Sequence, residues 1–166
     1  MPFTLLRGET FVAHATRALV DAGVEVLGDD TPWASIRDMG RSVVLMDPLC
    51  PSTPASFVAE VVEAADTAVV VGVRPVTDTI KRVDDGGVGA TLDRDALAVV
   101  TSPIVIPAAL LGGVAEEGPR LDDFAALVGD LREQGVVRLL EAPPVGRRVE
   151  DASAALVLEA IAARAD

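Results

Sequence analysis

The sequence predicts an α/β fold on a mostly parallel sheet, and three observations carry that expectation. Two runs of aliphatic residues without polar interleaving, at 42–48 (SVVLMDP) and 67–73 (TAVVVGV), have the pattern of strands covered on both faces. Segments with apolar residues three and four apart surround them and read as amphipathic helices. Alternation of the two element types gives helices on the sheet's faces, hence three layers, and parallel pairing through helical crossovers.

The elements follow in order. Residues 9–22 place Phe11, Ala15, Ala18, Leu19 and Ala22 at helical spacing, with Gly23 as the stop. Val24–Leu27 reads as a short strand, and 28–41 as a loop with one helical turn around Trp33. Val43–Met46 is expected as a central, fully buried strand ending at Asp47, and because strand ends in such sheets carry ligand sites, Asp47 is a candidate. Residues 51–65 form a helix capped by Ser52 or Thr53, with Pro54 in its first turn and Phe57, Val58, Val61, Val62 and Ala65 buried. Ala68–Val71 is the second central strand. Residues 75–92 then alternate around an Asp-Asp-Gly-Gly turn at 84–87, a hairpin.

Residues 96–115 carry no charge and imitate a membrane span, but Pro103 and Pro107 would break a spanning helix, so a buried strand, a loop and a short helix are expected. Residues 122–134 form a helix with Phe124, Leu127, Val128 and Leu131 inward, 136–142 a strand, and Pro143, Pro144 and Gly146 a loop. The last helix, 151–163, turns Leu156, Val157 and Ile161 to the core. At this length a single domain over 1–166 is expected.

Acidic residues outnumber basic ones 26 to 14, a net charge of -12, so attraction to a phosphate backbone cannot be the general mode of binding, and nucleic acid is excluded as a partner. With 3 % aromatic residues and no tyrosine, stacking platforms for bases are also excluded. All the basic residues but Lys81 are arginine, which favours forked contacts to any bound anion. Cys50 is the single cysteine, so no intrachain disulfide forms, and the opening MPFTLLRGET lacks a signal-peptide pattern; a cytoplasmic location without membrane attachment is expected.

Among chemistry-bearing residues, His14 lies on an apolar helix without a second histidine or a cysteine at metal spacing, and reads as a partly buried helical residue. Cys50 has no base placed beside it by the sequence and reads as a small packing residue. Gly86, Gly87 and Gly89 follow two aspartates and precede a strand, so a turn explains them better than a phosphate loop. Thr79, Lys81, Arg82 and Arg94 cluster on the hairpin, and composition alone leaves a solvated charged hairpin as an equal explanation.

The string PVTDTIKRVDDGGVGATLDRDAL, at 75–97, resembles the 2-C-methyl-D-erythritol 4-phosphate cytidylyltransferases, which carry a very similar Pro-Val-Thr-Asp-Thr-x-Lys-Arg stretch, a glycine turn and a Thr-Val/Leu-Asp-Arg stretch. The resemblance extends outward: 4–24 is similar to the segment that follows the family's nucleotide loop, VVLMDPLCP to its His-Asp-x-x-Arg-Pro strand end, SPIVI to its Thr-Pro-Gln-x-Phe, and LDD to its Thr-Asp-Asp. It implies a Rossmann-like nucleotidyltransferase fold with a protruding arm at 75–94, a homodimer built through that arm, and transfer of a cytidylyl group from CTP to methylerythritol phosphate with magnesium in isoprenoid biosynthesis.

Carried over by position, Thr79 and Arg94 are the catalytic pair implied by the resemblance, reaching across from a neighbouring subunit. Asp47, Ser102 and Arg148 are substrate-binding, and Asp47 is also the metal candidate. Departures are as instructive. The family's opening strand and glycine-rich loop have no counterpart in these residues, the arginine of its Arg-Pro pair is Cys50, its histidine is Met46, and the glutamine after its proline is Ile104. Since phosphoryl-group chemistry depends on cations that hold the triphosphate, two classes stand: a cytidylyltransferase with weak or no turnover, or a non-catalytic relative that binds a phosphosugar or a protein partner.

Overall fold

The computed structural model describes residues 3–28, 30–84 and 87–162. A small hairpin opens the chain, β1 (Leu5–Leu6) and β2 (Glu9–Thr10), turned by Arg7 and Gly8 at positive φ. Helix α1 (Phe11–Asp21) is capped by the Thr10 hydroxyl, which accepts from the Ala13 N–H. It ends as predicted at Gly23, where φ is +76° and the Gly23 and Val24 N–H groups return to the Val20 and Leu19 carbonyls.

The remaining elements are α2 (Trp33–Asp38), β3 (Val43–Leu45), α3 (Ala55–Ala64), β4 (Val69–Pro75), β5 (Lys81–Asp84), β6 (Gly87–Thr91), β7 (Ala98–Ile106), α4 (Phe124–Gln134), β8 (Val137–Glu141) and α5 (Ala152–Ala162). The hairpin expected at 75–92 is the separate β5–β6 ribbon; the middle of its turn, 85–86, lies outside the described residues. Among the described residues no helix is long and apolar enough to cross a membrane, and the uncharged stretch is the strand β7 followed by a 3-10 segment.

The main sheet runs β3-β7-β4-β8. Here the expectation of a mostly parallel sheet needs correction: β7 is antiparallel to both β3 and β4, and only β4 and β8 pair in parallel. The reason is the hairpin excursion. The chain leaves along β4, makes the β5–β6 ribbon, and returns along β7 beside the strand it left, so β3, β4 and β8 share one direction with a single reversed strand inserted.

Helix α3 covers one face through Phe57, Val61 and Ala65 on Val70 and Val105. Helix α4 covers the other through Leu127 and Leu131, with Leu45, Val71, Ile104 and Ile106 between. Val69, Val70 and Val71 are fully enclosed, as expected of a central strand. The equivalent expectation for Val43–Met46 fails: β3 is the edge strand, with only Leu45 buried. Val24–Leu27 takes no strand pairing at all.

Two further readings change. Pro54, not Ser52 or Thr53, holds the N-cap of α3, and the Thr53 hydroxyl instead donates to the Cys50 carbonyl. In α5 the core residue is Leu158, packed with Leu6, Phe11 and Val149, while Leu156 and Val157 are 67 % and 47 % exposed. A helix whose polar residues are just Ser153 and Glu159 has too little polar face to mark its orientation.

Candidate functional site

Because β3, β4 and β8 point the same way, their carboxyl ends lie at one edge of the sheet, and the reversed β7 brings its beginning to the same place. The β3–β7 register pairs Leu45 with Ile104; continued two residues on, it sets Asp47 opposite Ser102. There the Asp47 N–H donates to Ser102 Oγ at 2.8 Å. The segment after β8 supplies Arg148, whose Nε donates to Asp47 Oδ2 at 2.8 Å, and the Val149 N–H donates to the Leu49 carbonyl at 2.7 Å, holding that segment against the loop after β3. Three of the five predicted site residues, from distant parts of the chain, therefore form one bonded cluster.

Its electrostatics are tightly balanced. Asp47 Oδ1 accepts from the Leu49 N–H at 2.8 Å, so both carboxylate oxygens are engaged. Arg148 Nη1 also reaches Glu150 Oε1 at 3.1 Å, a partner that the sequence reading did not single out. Its hydrogen bond to Asp47 raises the Arg148 pKa further above its ordinary value. One guanidinium thus serves two carboxylates, yet two bonds leave others of its five N–H donors for an incoming acceptor.

Cys50 belongs to the same cluster. Its backbone N–H donates to the Asp47 carbonyl at 2.9 Å, closing the loop after β3. The side chain is fully enclosed, and burial, reinforced by the Asp47 charge, pushes the thiol pKa up to about 12 in spite of a hydrogen bond with Ser102. A thiol so strongly held in its neutral form is a packing group rather than a nucleophile, in line with its sequence reading. The neighbouring Thr101 hydroxyl is buried with no partner among the described residues.

The position of Ser102 is set from β4. A Cβ at Gly72 would lie 2.9 Å from the Ser102 carbonyl oxygen and 3.2 Å from Phe57 Cε1, so the absent side chain lets β7 approach. A residue-by-residue reading missed this, although a lone glycine inside TAVVVGV is the usual mark of close backbone approach.

Thr79 and Arg94 lie elsewhere, on the exposed arm. Arg94 opens a 3-10 turn after β6 and donates from Nη1 to the Thr77 carbonyl at 3.0 Å, an arm-internal contact. His14 is, as read, a partly buried helical residue, its Nε2 2.9 Å from the Leu6 carbonyl, which requires the proton on that nitrogen. Asp47, the metal candidate, accepts one hydrogen bond on each carboxylate oxygen, and no group of three metal-ligating side chains is found among the described residues.

Fold and site together define a Rossmann-like α/β protein with its polar cluster at the carboxyl ends of the co-directional strands. More narrowly, the chain belongs to the 2-C-methyl-D-erythritol 4-phosphate cytidylyltransferase family, whose model matches residues 9–131. A 2-C-methyl-D-erythritol 4-phosphate cytidylyltransferase from Rhodococcus jostii (strain RHA1) is 35% identical over 154 residues, covering 88% of this chain and 62% of the relative. The chain therefore spans less than two thirds of that relative's length. The crystal structure of the Thermus thermophilus protein of the same name has a TM-score of 0.71 at 23% identity, covering 98% of this chain and 93% of that one. That of 4-diphosphocytidyl-2C-methyl-D-erythritolsynthase from Anaerococcus prevotii gives 0.70 at 13%, with the same coverage. At these identities the two structures show the fold.

Proposed function

We propose that the chain acts on 2-C-methyl-D-erythritol 4-phosphate in cytidylyl transfer from CTP, with weak turnover, and that the Asp47–Ser102–Arg148 cluster receives the sugar phosphate. The observation that carries this reading is the convergence of three family-motif positions on one hydrogen-bonded cluster at the strand ends, in a chain of that family. An arginine fork beside a hydroxyl suits a phosphate monoester, whose oxygens it meets two at a time. The weak turnover in this reading is attributed to the charge balance: Arg148 already faces the carboxylates of Asp47 and Glu150, which offset the positive charge it can offer a dianion.

In this reading the arm contributes from a second copy. Val83 and Val88 are 69 % and 72 % exposed on a two-stranded ribbon that has no sheet of its own to lie on. An isolated ribbon is marginal in water, and a symmetric partner would cover it while bringing Thr79 and Arg94 toward the cluster. Magnesium belongs to the proposed reaction as a companion of CTP, and no step is assigned to it.

A second reading is phosphosugar binding without turnover. Pyrophosphate release from CTP and methylerythritol phosphate, measured with calorimetry of the sugar phosphate alone, separates the two. Slow release together with at least tenfold weaker binding in Arg148→Ala is expected; binding without release supports the second reading. Binding unchanged in both Arg148→Ala and Asp47→Asn removes the cluster from either.

A further inference from the structure

The ladder between β4 and β8 ends one hydrogen bond early. Val69, Val71 and Val73 pair with β8 in parallel register, and the Ala142 N–H donates to the Val73 carbonyl at 2.8 Å. In a parallel ladder the next bond would run from the N–H of residue 75 to the Ala142 carbonyl. Residue 75 is a proline and has no N–H. Ala142 is 1 % exposed, so its carbonyl needs another donor. Arg74 supplies it: its Nη1 donates to the Ala142 carbonyl at 2.7 Å.

Arginine is a costly donor for a single rung. Its side chain is half-buried, and no carboxylate lies within ion-pair reach of it among the described residues; a charge withdrawn from water without a counter-ion costs free energy. What Ala142 leads to gives that expense a purpose.

Ala142 begins the segment that carries Arg148. Pro143 and Pro144 have no N–H with which to fasten it. The Gly146 N–H turns back to the Pro143 carbonyl at 2.8 Å, and the Val149 N–H reaches the Leu49 carbonyl at 2.7 Å. Gly146 lies against Ala142 and Thr53: a Cβ there would be 3.5 Å from the Ala142 Cβ and 3.7 Å from Thr53 Oγ1. Arg148 therefore stands on a short brace held at both ends, to β4 through Ala142 and to the loop after β3 through Val149. Two bonds fasten the β4 end, and one of them is the Arg74 side chain.

We propose that Arg74 is a positioning residue for Arg148: by holding the Ala142 carbonyl it fixes where the brace leaves the sheet, and with it how the Arg148 guanidinium meets an anion beside Asp47 and Ser102. Pro75 makes this a task for a side chain, since no backbone donor stands at that rung. The consequence for binding rests on the reading of the cluster as the sugar-phosphate site; the consequence for Arg148 itself does not.

Two measurements on the 166-residue protein test this. The Arg148 Nε–H, bonded to Asp47 Oδ2, is followed by NMR without ligand, and methylerythritol phosphate binding is followed by calorimetry. Arg74→Met keeps an apolar stem and removes the donor; Arg74→Lys keeps a donor. Arg74→Met is expected to speed solvent exchange of the Arg148 Nε–H and to weaken binding about tenfold, the scale of one lost hydrogen bond to a charged donor. Arg74→Lys should restore most of both. In an Arg148→Ala background Arg74→Met should weaken binding no further, because nothing is left to position.

The proposal is overturned if the Arg148 Nε–H exchanges in Arg74→Met as it does in the native protein, or if binding is unchanged there while Arg148→Ala weakens it. Additive losses in the double variant overturn it too, since Arg74 would then touch the anion itself. A lowered urea midpoint with native exchange and native binding reduces Arg74 to a structural clasp, and that also overturns it. If Arg148→Ala leaves binding unchanged, the sugar-phosphate reading fails by itself, and the Nε–H exchange still decides the role of Arg74.

Discussion

β3 and β4 begin from nearly the same sequence, SVVLM against TAVVVG, and end in opposite situations. β4 is flanked by β7 and β8, sealed by α3 and α4, and has no accessible surface at Val70 and Val71. β3 has one neighbour and an open cleft along the other edge. An aliphatic run therefore states what a strand is suited to be buried against, and leaves open whether the cover is present in the same set of residues.

The largest expected effect tests how solid the molecule is where β3 ends. The Cys50 thiol is raised from 9.0 to about 12 in the folded chain, so the unfolded chain loses its proton first as pH rises. Stability from this group is complete below pH 9 and declines toward pH 12, by several kcal/mol in order of magnitude. Urea unfolding at stepped pH should show that decline in the native protein and lose it in Cys50→Ala. A cleft that admitted water as far as Cys50 would abolish the difference.

Next is a direct contrast between the centre of the sheet and its open edge. Ile104→Ala, at a fully enclosed position, should cost about 3 kcal/mol, whereas Val43→Ala beside the cleft should cost about 1 kcal/mol. Equal costs, measured by urea midpoints, would mean that the cleft closes in solution. Gly72→Ala is expected to cost about 2 kcal/mol, since the added methyl meets the Ser102 backbone rather than a movable side-chain end. By pushing Ser102 from Asp47 it should also weaken sugar-phosphate binding. The smallest effect belongs to the exposed pair of Glu9 on β2 and Arg17 on α1: Arg17→Ala should leave the urea midpoint unchanged within error.

Periodicity located the helices well because each has a polar face to contrast with an apolar one, and α1 even ends at the glycine that its composition indicates. It failed for α5, where Ser153 and Glu159 are the only polar residues and Leu158 could not be told from Leu156. Strand positions were readable, but strand direction was not. Nothing in the residues of β7 says that it runs against β3 and β4; that follows from the path through the arm.

For the site, Asp47, Ser102 and Arg148 came from a family motif, and the fold explains their meeting through register. Glu150 was invisible because its role depends on where Arg148 points. Gly72 was present as a signal in the strand but had no meaning until Ser102 lay across it. The short β1–β2 hairpin was also readable in principle, from Arg7-Gly8 between two extended pairs.

The insertion of β7 between β3 and β4 has a consequence for the order in which the molecule can assemble. β3 and β4 are consecutive along the chain, yet neither can hydrogen-bond within the main sheet until Ile104, Val105 and the rest of β7 exist to stand between them. During synthesis, β3 and β4 leave the ribosome as two strongly apolar strands with no main-sheet partner among the described residues that precede β7. β4 and β7 can close through the arm, but adding β3 and β8 to them requires loops of roughly sixty to seventy residues, each at an entropic cost. Folding should therefore be slow for a chain of this length, and the period before β7 emerges is when this protein is most exposed to aggregation or to capture by a chaperone.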